Sequence, residues 1–294
     1  MERLHSECLG CFAEKQLKRI PADADESLRI EYMQRALEVL ASSPKTSNAP
    51  IIAHDIDVAR YELFGIRDTF DEERAHFNKL MLGLEGEMDR RVQEAADPLL
   101  MAMQLAMMGN FIDFTILDEI DDERLLGYIE KADEVPVSDA DLAAIKADLA
   151  SAKTLAFLTD NCGEVVCDKV LMREIGRQYP DLDITVVVKG VPVVNDACRE
   201  DAEQVGLAEV ARVIDHGCDY PGNPLEVISA EARAAIEESD VVISKGQANF
   251  ESLFGCGLNV WYLFMCKCQI FSERFSTPLF QGIIANDRRL PFEI

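Results

Sequence analysis

Residues 155–169, LAFLTDNCGEVVCDK, set two hard-oxygen side chains, Asp160 and Asn161, directly behind a short apolar run. The run 155–158 reads as a buried strand, and Gly163 sits where the backbone must turn. From Glu164 onward the spacing of Val165, Val166, Val170, Leu171 and Ile175 is helical. A carboxylate and an amide therefore stand at the carboxyl end of a strand and face the amino end of a helix. Open α/β sheets bind ligands at that position. Oxygens of this kind suit Mg²⁺ or Mn²⁺. Backbone amides near Gly163, together with the helix dipole, would favour an anion such as phosphate. A polar turn closed by an Asx cap uses the same residue types, so the stretch alone supports either reading.

Other segments end in the same way. After the apolar run 184–188 comes Lys189-Gly190, and then Asn195-Asp196 before the next helical spacing. Asn195-Asp196 also serves as an ordinary helix cap. After 241–243 comes Ser244-Lys245-Gly246-Gln247-Ala248-Asn249-Phe250-Glu251, which gathers an ammonium and two amides around one glycine. After 260–265 comes Cys266-Lys267-Cys268. In a parallel sheet all these strand ends lie on one edge. Their convergence is far more specific than any single cluster.

The elements that would position them fall into two stretches. Residues 1–150 read as almost entirely helical. Asp25 or Asp23 can cap one helix, Thr69-Phe70-Asp71-Glu72 has capping-box spacing, and Ser138 with Asp141 caps another. Asp97-Pro98 places a cap and an N1 proline before LLMAMQLAMM, a helix apolar on most sides and so expected at the centre. Residues 151–294 alternate strands (155–159, 184–189, 211–214, 241–244, 260–265) with helices (164–178, 197–205, 230–237). Near-continuous apolar strands imply a sheet buried on both faces. The expectation is an α/β fold: a Rossmann-like, mostly parallel sheet with helices on both faces, carrying a helical amino-terminal domain. The last thirty residues give no clear pattern.

The chain has 294 residues, 48% of them apolar, and a formal charge of −25. Such a surface repels nucleic acid and anionic lipid, which excludes both as general partners. A phosphorylated substrate then requires local ammonium groups or a metal ion. The opening, MERLHSECLGC, lacks a signal-peptide pattern, and 99–108 is too short to span a bilayer. The expected location is cytoplasmic, where the nine cysteines would be reduced thiols. No feature of the pattern sets an oligomeric state.

The runs DNCGE, KGVPVVNDA and SKGQANFES, followed by a strand ending in Lys267, resemble the damage-control phosphatase family (domain of unknown function 89). GNFIDF at 109–114 and Cys8-x-x-Cys11 are similar to its prokaryotic branch, and the order holds over nearly the whole chain. The resemblance implies a divalent metal ion (Mn, Mg, Co or Ni) held by Asp160, Asn161 and Asp196. It implies that Glu164, Asn249 and Lys267 contact a small phosphorylated substrate, with Lys245 and Gln247 nearby. Eukaryotic relatives carry Arg-Thr-x-Lys near the last strand, where this chain reads Phe264-Met265-Cys266-Lys267, so only the lysine carries over. The implied activity is hydrolysis of phosphomonoesters, such as sugar phosphates or damaged phosphometabolites, with Asp160 and Lys267 in catalytic roles. Asn110 and Asp113 could face the same cleft or simply end the central helix.

Two other function classes compete. A methyltransferase using S-adenosylmethionine would want a glycine-rich first loop, whereas DNCGE has one glycine. A non-catalytic binder of phosphorylated metabolites would keep the metal without turnover. Asp55-Ile56-Asp57-Val58 mimics a phosphatase nucleophile motif but lacks the strand that must precede it. Cys8 and Cys11, with His5, Cys266 and Cys268, could form a zinc site only if the two ends of the chain met.

Overall fold

A computed structural model of the chain describes residues 4–111 and 122–291. Among these residues seven α-helices come first: α1 (Ser6–Lys18), α2 (Glu26–Ser42), α3 (Ala49–Phe64), α4 (Asp71–Glu94), α5 (Pro98–Gly109), α6 (Asp122–Glu130) and α7 (Asp139–Ser151). Strands and helices then alternate: β1 (Thr154–Leu158), α8 (Glu164–Gln178), β2 (Asp183–Val188), α9 (Arg199–Val205), β3 (Arg212–Asp215), α10 (Ala230–Glu237) and β4 (Val241–Lys245). The chain continues through α11 (Gln247–Leu253), β5 (Val260–Met265), α12 (Gln269–Phe275) and β6 (Gly282–Asn286).

The strands form one sheet in the order β3-β2-β1-β4-β5-β6. All neighbours are parallel except β6, which runs antiparallel along β5. This is the expected α/β class, a mostly parallel Rossmann-like sheet covered on both faces. Side chains alternate between those faces along each strand. Leu155 and Phe157 of β1, Val241 and Ile243 of β4, and Trp261 and Leu263 of β5 enter a core shared with α4, α5 and α8. Ala156, Leu158, Val242 and Tyr262 enter a second core with α10, α11 and α12. The helices end at Ser151 and β1 begins at Thr154, yet the first core runs without a break across that point.

The central helix is α5. Asp97 caps it by accepting from the Leu100 N–H, Pro98 occupies the first turn, and Leu99 through Gly109 are buried apart from Leu100 and Met101. Asp25 and Ser138 cap α2 and α7 as expected. The Thr69 capping box does not form. Phe70 takes a left-handed conformation at the start of α4 with no side-chain cap, and the Thr69 carbonyl accepts from Arg74 Nε instead. Asp55-Ile56-Asp57-Val58 lies inside α3, where no strand end can aim it.

Candidate functional site

The order of strands reverses direction between β1 and β4, so the crevice above their carboxyl ends is the switch point at which such sheets take ligands. Thr159-Asp160-Asn161 leave β1 there, and Gly246 leaves β4 beside them. Gly246 has φ +80° and ψ 159°, a backbone region open in practice to glycine alone. A Cβ at this position would overlap the Asp160 carboxyl group. Asn249, at the start of α11, ties the two ends together. Its Nδ2 donates to the Thr159 carbonyl (3.0 Å) and the Lys245 carbonyl (2.6 Å), and its Oδ1 accepts from Asn223 (2.6 Å).

Asp196 arrives from the β2–α9 loop. The Asp196 N–H closes a turn onto the Val193 carbonyl at 2.9 Å, and Asp196 bridges to Asn161 through the backbone. Within that turn Val194 has φ +49°, a costly conformation for a β-branched residue. Arg74 of α4 holds the strained segment. Its guanidinium donates to the Val194 carbonyl (2.7 Å) and the Asp196 carbonyl (2.8 Å), and pairs with Asp201 at 2.6 Å. Strain of about 1–3 kcal/mol persists only where surroundings over-determine it, and it gathers at functional sites.

Asp160, Asn161 and Asp196 are thus neighbours on the rim, linked by the Asn161–Asp196 bridge and the Asn161–Asp160 hydrogen bond, and each is below one-tenth exposed. Asp160 Oδ2 accepts from Asn110 Nδ2 and Asn161 Nδ2, both at 2.8 Å. Asn161 Oδ1 accepts from Asn195 Nδ2 at 2.8 Å, leaving that oxygen a second lone pair. Two carboxylates and one amide oxygen are the donor type a hard divalent cation takes. Among the described residues no group of three or more His, Cys, Asp or Glu is arranged to hold a metal, so a site here would need a further oxygen of another kind, such as the Asn161 amide. Lys189 Nζ lies 3.4 Å from Asp196 Oδ2 and donates to the Gly222 carbonyl.

A buried polar layer supports this set. Glu164 has no exposure and accepts from Asn110 Nδ2 (2.7 Å), Asn161 Nδ2 (2.8 Å) and Lys245 Nζ (2.5 Å). Lys245 also reaches Asp168 at 3.0 Å and the Ala106 carbonyl of α5. Burial pushes the Asp168 carboxyl up to about 7 against the pull of Lys245, while its two carboxylate neighbours raise the Lys245 ammonium. Asn110, Glu164, Lys245 and Asn249 are fully buried, and their polar groups meet Asp160, Asn161, Asp168, Asn223, one another and backbone. Lys267 follows β5 on the same rim, is 8% exposed, and donates its backbone N–H to Gln247 Oε1 at 3.2 Å. Asp113 lies outside the described residues.

The phosphate cradle expected near Gly163 takes another form. Gly163 N–H donates to Asn78 Oδ1 (2.6 Å), Cys162 N–H to the Asn195 carbonyl, and Glu164 N–H to the Cys162 carbonyl. The amino end of α8 is closed by protein groups rather than offered to a ligand.

Comparisons with known proteins give the family and the fold. The model of the damage-control phosphatase ARMT1-like domain matches residues 4–280. The chain belongs to the damage-control phosphatase family. A damage-control phosphatase of Archaeoglobus fulgidus is 30% identical over 251 residues, covering 83% of this chain and 85% of its own. The damage-control phosphatase PH1575 of Pyrococcus horikoshii is 29% identical over 280 residues, covering 94% of this chain and 95% of its own. The crystal structure titled as a DUF89 family protein (PH1575) from that organism superposes with a TM-score of 0.79 at 26% identity, over 98% of this chain and all of that one.

Sequence reasoning passed over Arg74, Asn78, Asp168 and Asn223, and it named Lys189 at a strand end without giving it a partner; all five bond to the groups around Asp160 and Asp196. Arg74 and Asn78 are four apart on α4, a polar pair beside the buried Phe77 and Met81, and that spacing was a usable signal. The two ends of the chain do meet: His5 and Cys8 share a small pocket with Glu251 and Cys268. All nine cysteines are free thiols, and burial raises the Cys8 thiol to about 11. Among the described residues these groups are not arranged to bind a metal.

Proposed function

We propose that this chain is a metal-dependent phosphatase that hydrolyses small phosphorylated metabolites. The observation that carries the reading is the convergence of Asp160, Asn161 and Asp196 at the β1/β4 switch point, in a chain of the damage-control phosphatase family. Asp160, Asn161 and Asp196 would hold the cation, from among Mn²⁺, Mg²⁺, Co²⁺ and Ni²⁺. Bound there, it would polarise a phosphoryl oxygen and offset the charge of the transition state.

The remaining work falls to side chains. Asp160, aimed by Asn110 and bounded by Gly246, orients the attacking water. Lys267 brings an ammonium to the rim against the phosphoryl oxygens, with Gln247 fixing its backbone. Phosphoryl transfer gains most of its rate from such positioning and charge compensation. Asn110, Glu164, Lys245 and Asn249 act as positioning residues in this scheme.

The charge balance supports a divalent ion. Asp160, Asp196, Glu164 and Asp168 meet Lys189 and Lys245 inside one buried region. Asp168, raised to about 7, is partly protonated near neutrality, yet the carboxylates still outnumber the two ammonium groups, a balance that favours a cation.

The test is phosphate release from a panel of phosphorylated metabolites. Turnover is expected to vanish with EDTA and return with one of the four ions. Asp160→Ala and Asp196→Ala should each abolish it. Turnover that survives both substitutions, or that ignores EDTA, would overturn the proposal; stoichiometric binding without turnover would make the chain a binding protein.

A further inference from the structure

Asp196 joins the donor set only when the turn 193–196 is closed, and the loop's own chemistry opposes closure. Val194 stands at φ +49°, a region that strains a β-branched residue. One backbone hydrogen bond closes the turn, from the Asp196 N–H to the Val193 carbonyl. The end of β1 grips Asn195 and Ala197 on either side of Asp196: Ala197 N–H donates to the Asp160 carbonyl (2.6 Å), and the Asn195 carbonyl accepts from Cys162 N–H (2.8 Å). The Val194 carbonyl is held from elsewhere.

Helix α4 supplies that hold. Arg74 and Asn78 lie one turn apart on it, 5% and 0% exposed. Arg74 Nη2 donates to the Val194 carbonyl and Nη1 to the Asp196 carbonyl, so one planar fork spans the strained turn. Its Nε anchors it to the Thr69 carbonyl at 2.7 Å. Asp201 aims the fork. Its Oδ2 accepts from Arg74 Nη1 and from the Cys198 N–H (2.8 Å), and its Oδ1 accepts from Asn78 Nδ2 (2.7 Å). Asn78 Oδ1 in turn accepts from the Gly163 N–H, two residues beyond Asn161. One buried network therefore reaches both loops that carry the donor set.

We propose that Arg74, aimed by Asp201, is a positioning residue: it keeps Asp196 in the ion-binding conformation before the ion arrives, and so sets the affinity of the site for a divalent cation. The inference rests on the metal reading above and adds how the donor set is held. Strain of the kind at Val194 is enough to leave about one-tenth of the loops closed once the fork is lost. The apparent dissociation constant then rises by the inverse of that fraction, about tenfold. Lysine at position 74 keeps the positive charge and can still pair with Asp201, but a point-like ammonium cannot span two carbonyls as the fork does. Arg74→Lys therefore reads geometry rather than charge.

The experiment titrates the full chain, stripped of metal, with Mn²⁺ and reads the free ion by its electron paramagnetic resonance signal. Asp196→Ala gives the background binding of the acidic surface. Arg74→Lys should raise the dissociation constant about tenfold. Val194→Gly removes the strain, so in that background the same substitution should cost about threefold or less. Saturating Mn²⁺ should return the rate of phosphate release to the wild-type value. An unchanged dissociation constant in folded Arg74→Lys, an equal loss with and without Val194→Gly, or a rate that saturating Mn²⁺ leaves depressed would overturn the inference. Should Arg74→Lys fail to fold, Asp201→Asn takes its place, because it releases the fork by the other end; there the coupling to Val194→Gly decides. A wild type that binds Mn²⁺ no better than Asp196→Ala would instead refute the metal reading itself.

Discussion

Replacing Gly246 by alanine tests the core of the site with one methyl group. Two costs follow from the structure. The first is conformational: at φ +80° and ψ 159° a residue with a Cβ is strained by about 1–3 kcal/mol. The second is steric: the new Cβ would overlap the Asp160 carboxyl group, which must withdraw by more than about 1 Å to reach an ordinary contact near 3.5 Å. A misplacement of that size costs about 10²-fold in rate, or roughly 2.7 kcal/mol of transition-state stabilisation. Gly246→Ala should therefore fold with a lower melting temperature, bind the activating ion more weakly, and lose about a hundredfold in kcat/KM for phosphate release. Gly65→Ala separates the two costs. Gly65 has φ +68° at the end of α3, and nothing lies within 4 Å of its missing Cβ. That variant should lose stability, by about 1–2 kcal/mol, with no change in kcat. A folded Gly246→Ala protein with wild-type turnover and ion affinity would refute the idea that this glycine makes room for Asp160.

Two further outcomes concern the buried charges. Lys245→Met leaves Glu164 and Asp168 facing each other without their ammonium; the urea midpoint should fall by the equivalent of about 3–5 kcal/mol. Asp168→Asn added to it should restore part of that, and a loss below about 1 kcal/mol in the single variant would contradict the pairing. His216 is buried, accepts at Nδ1 from the Gly190 N–H, and is pushed down to about 3 by burial and then by Lys189. It stays neutral in the folded chain while the unfolded chain takes up a proton below about 6.5. Its contribution to stability is therefore lost as pH falls from about 6.5 towards 3, by about 1.4 kcal/mol per unit. Asp168 pulls the opposite way between about 4 and 7, so the readout is wild type minus His216→Gln. The difference should steepen below pH 6.5, and a flat one would show that His216 titrates normally.

Much of the sheet was legible because parallel strands are written as unbroken apolar runs, and all five of those runs became strands. Residues 164–178 and 230–237 became helices at the expected bounds. The seven-residue helices α11 and α12 are too short to declare a period, and β6 is an edge strand whose pattern merges with the loops around it. The types of the site residues were readable as well, but their depth was not. Lys245 looked like a ligand for phosphate, although strand alternation already assigns it to the face of Val241 and Ile243, the side covered by α5 and α8. Its ammonium meets Ala106 and Glu164 for that reason. Arg74 and the strain at Val194 had no readable sign in the loop itself, because the loop's conformation is imposed by a helix more than a hundred residues earlier.

The placement of the lysines bears on how so acidic a chain could act on an anionic ester. Surface charges repel a phosphate only weakly at physiological ionic strength, where the screening length is about 8 Å. Lys189 and Lys245 lie at 1% and 0% exposure, where salt screens far less, Lys189 beside Asp196 at the rim and Lys245 paired with Glu164 behind it. Lys189 offsets the charge of Asp196, and Lys245 those of Glu164 and Asp168. On the proposed function, a cation held by Asp160, Asn161 and Asp196 would supply the attraction for the ester, with Lys267 beside it. On this account the lysines and the metal are not interchangeable sources of positive charge. Lys189→Met, which removes the ammonium beside Asp196, should tighten the hold on a divalent ion, and a weaker hold in a folded variant would contradict this account.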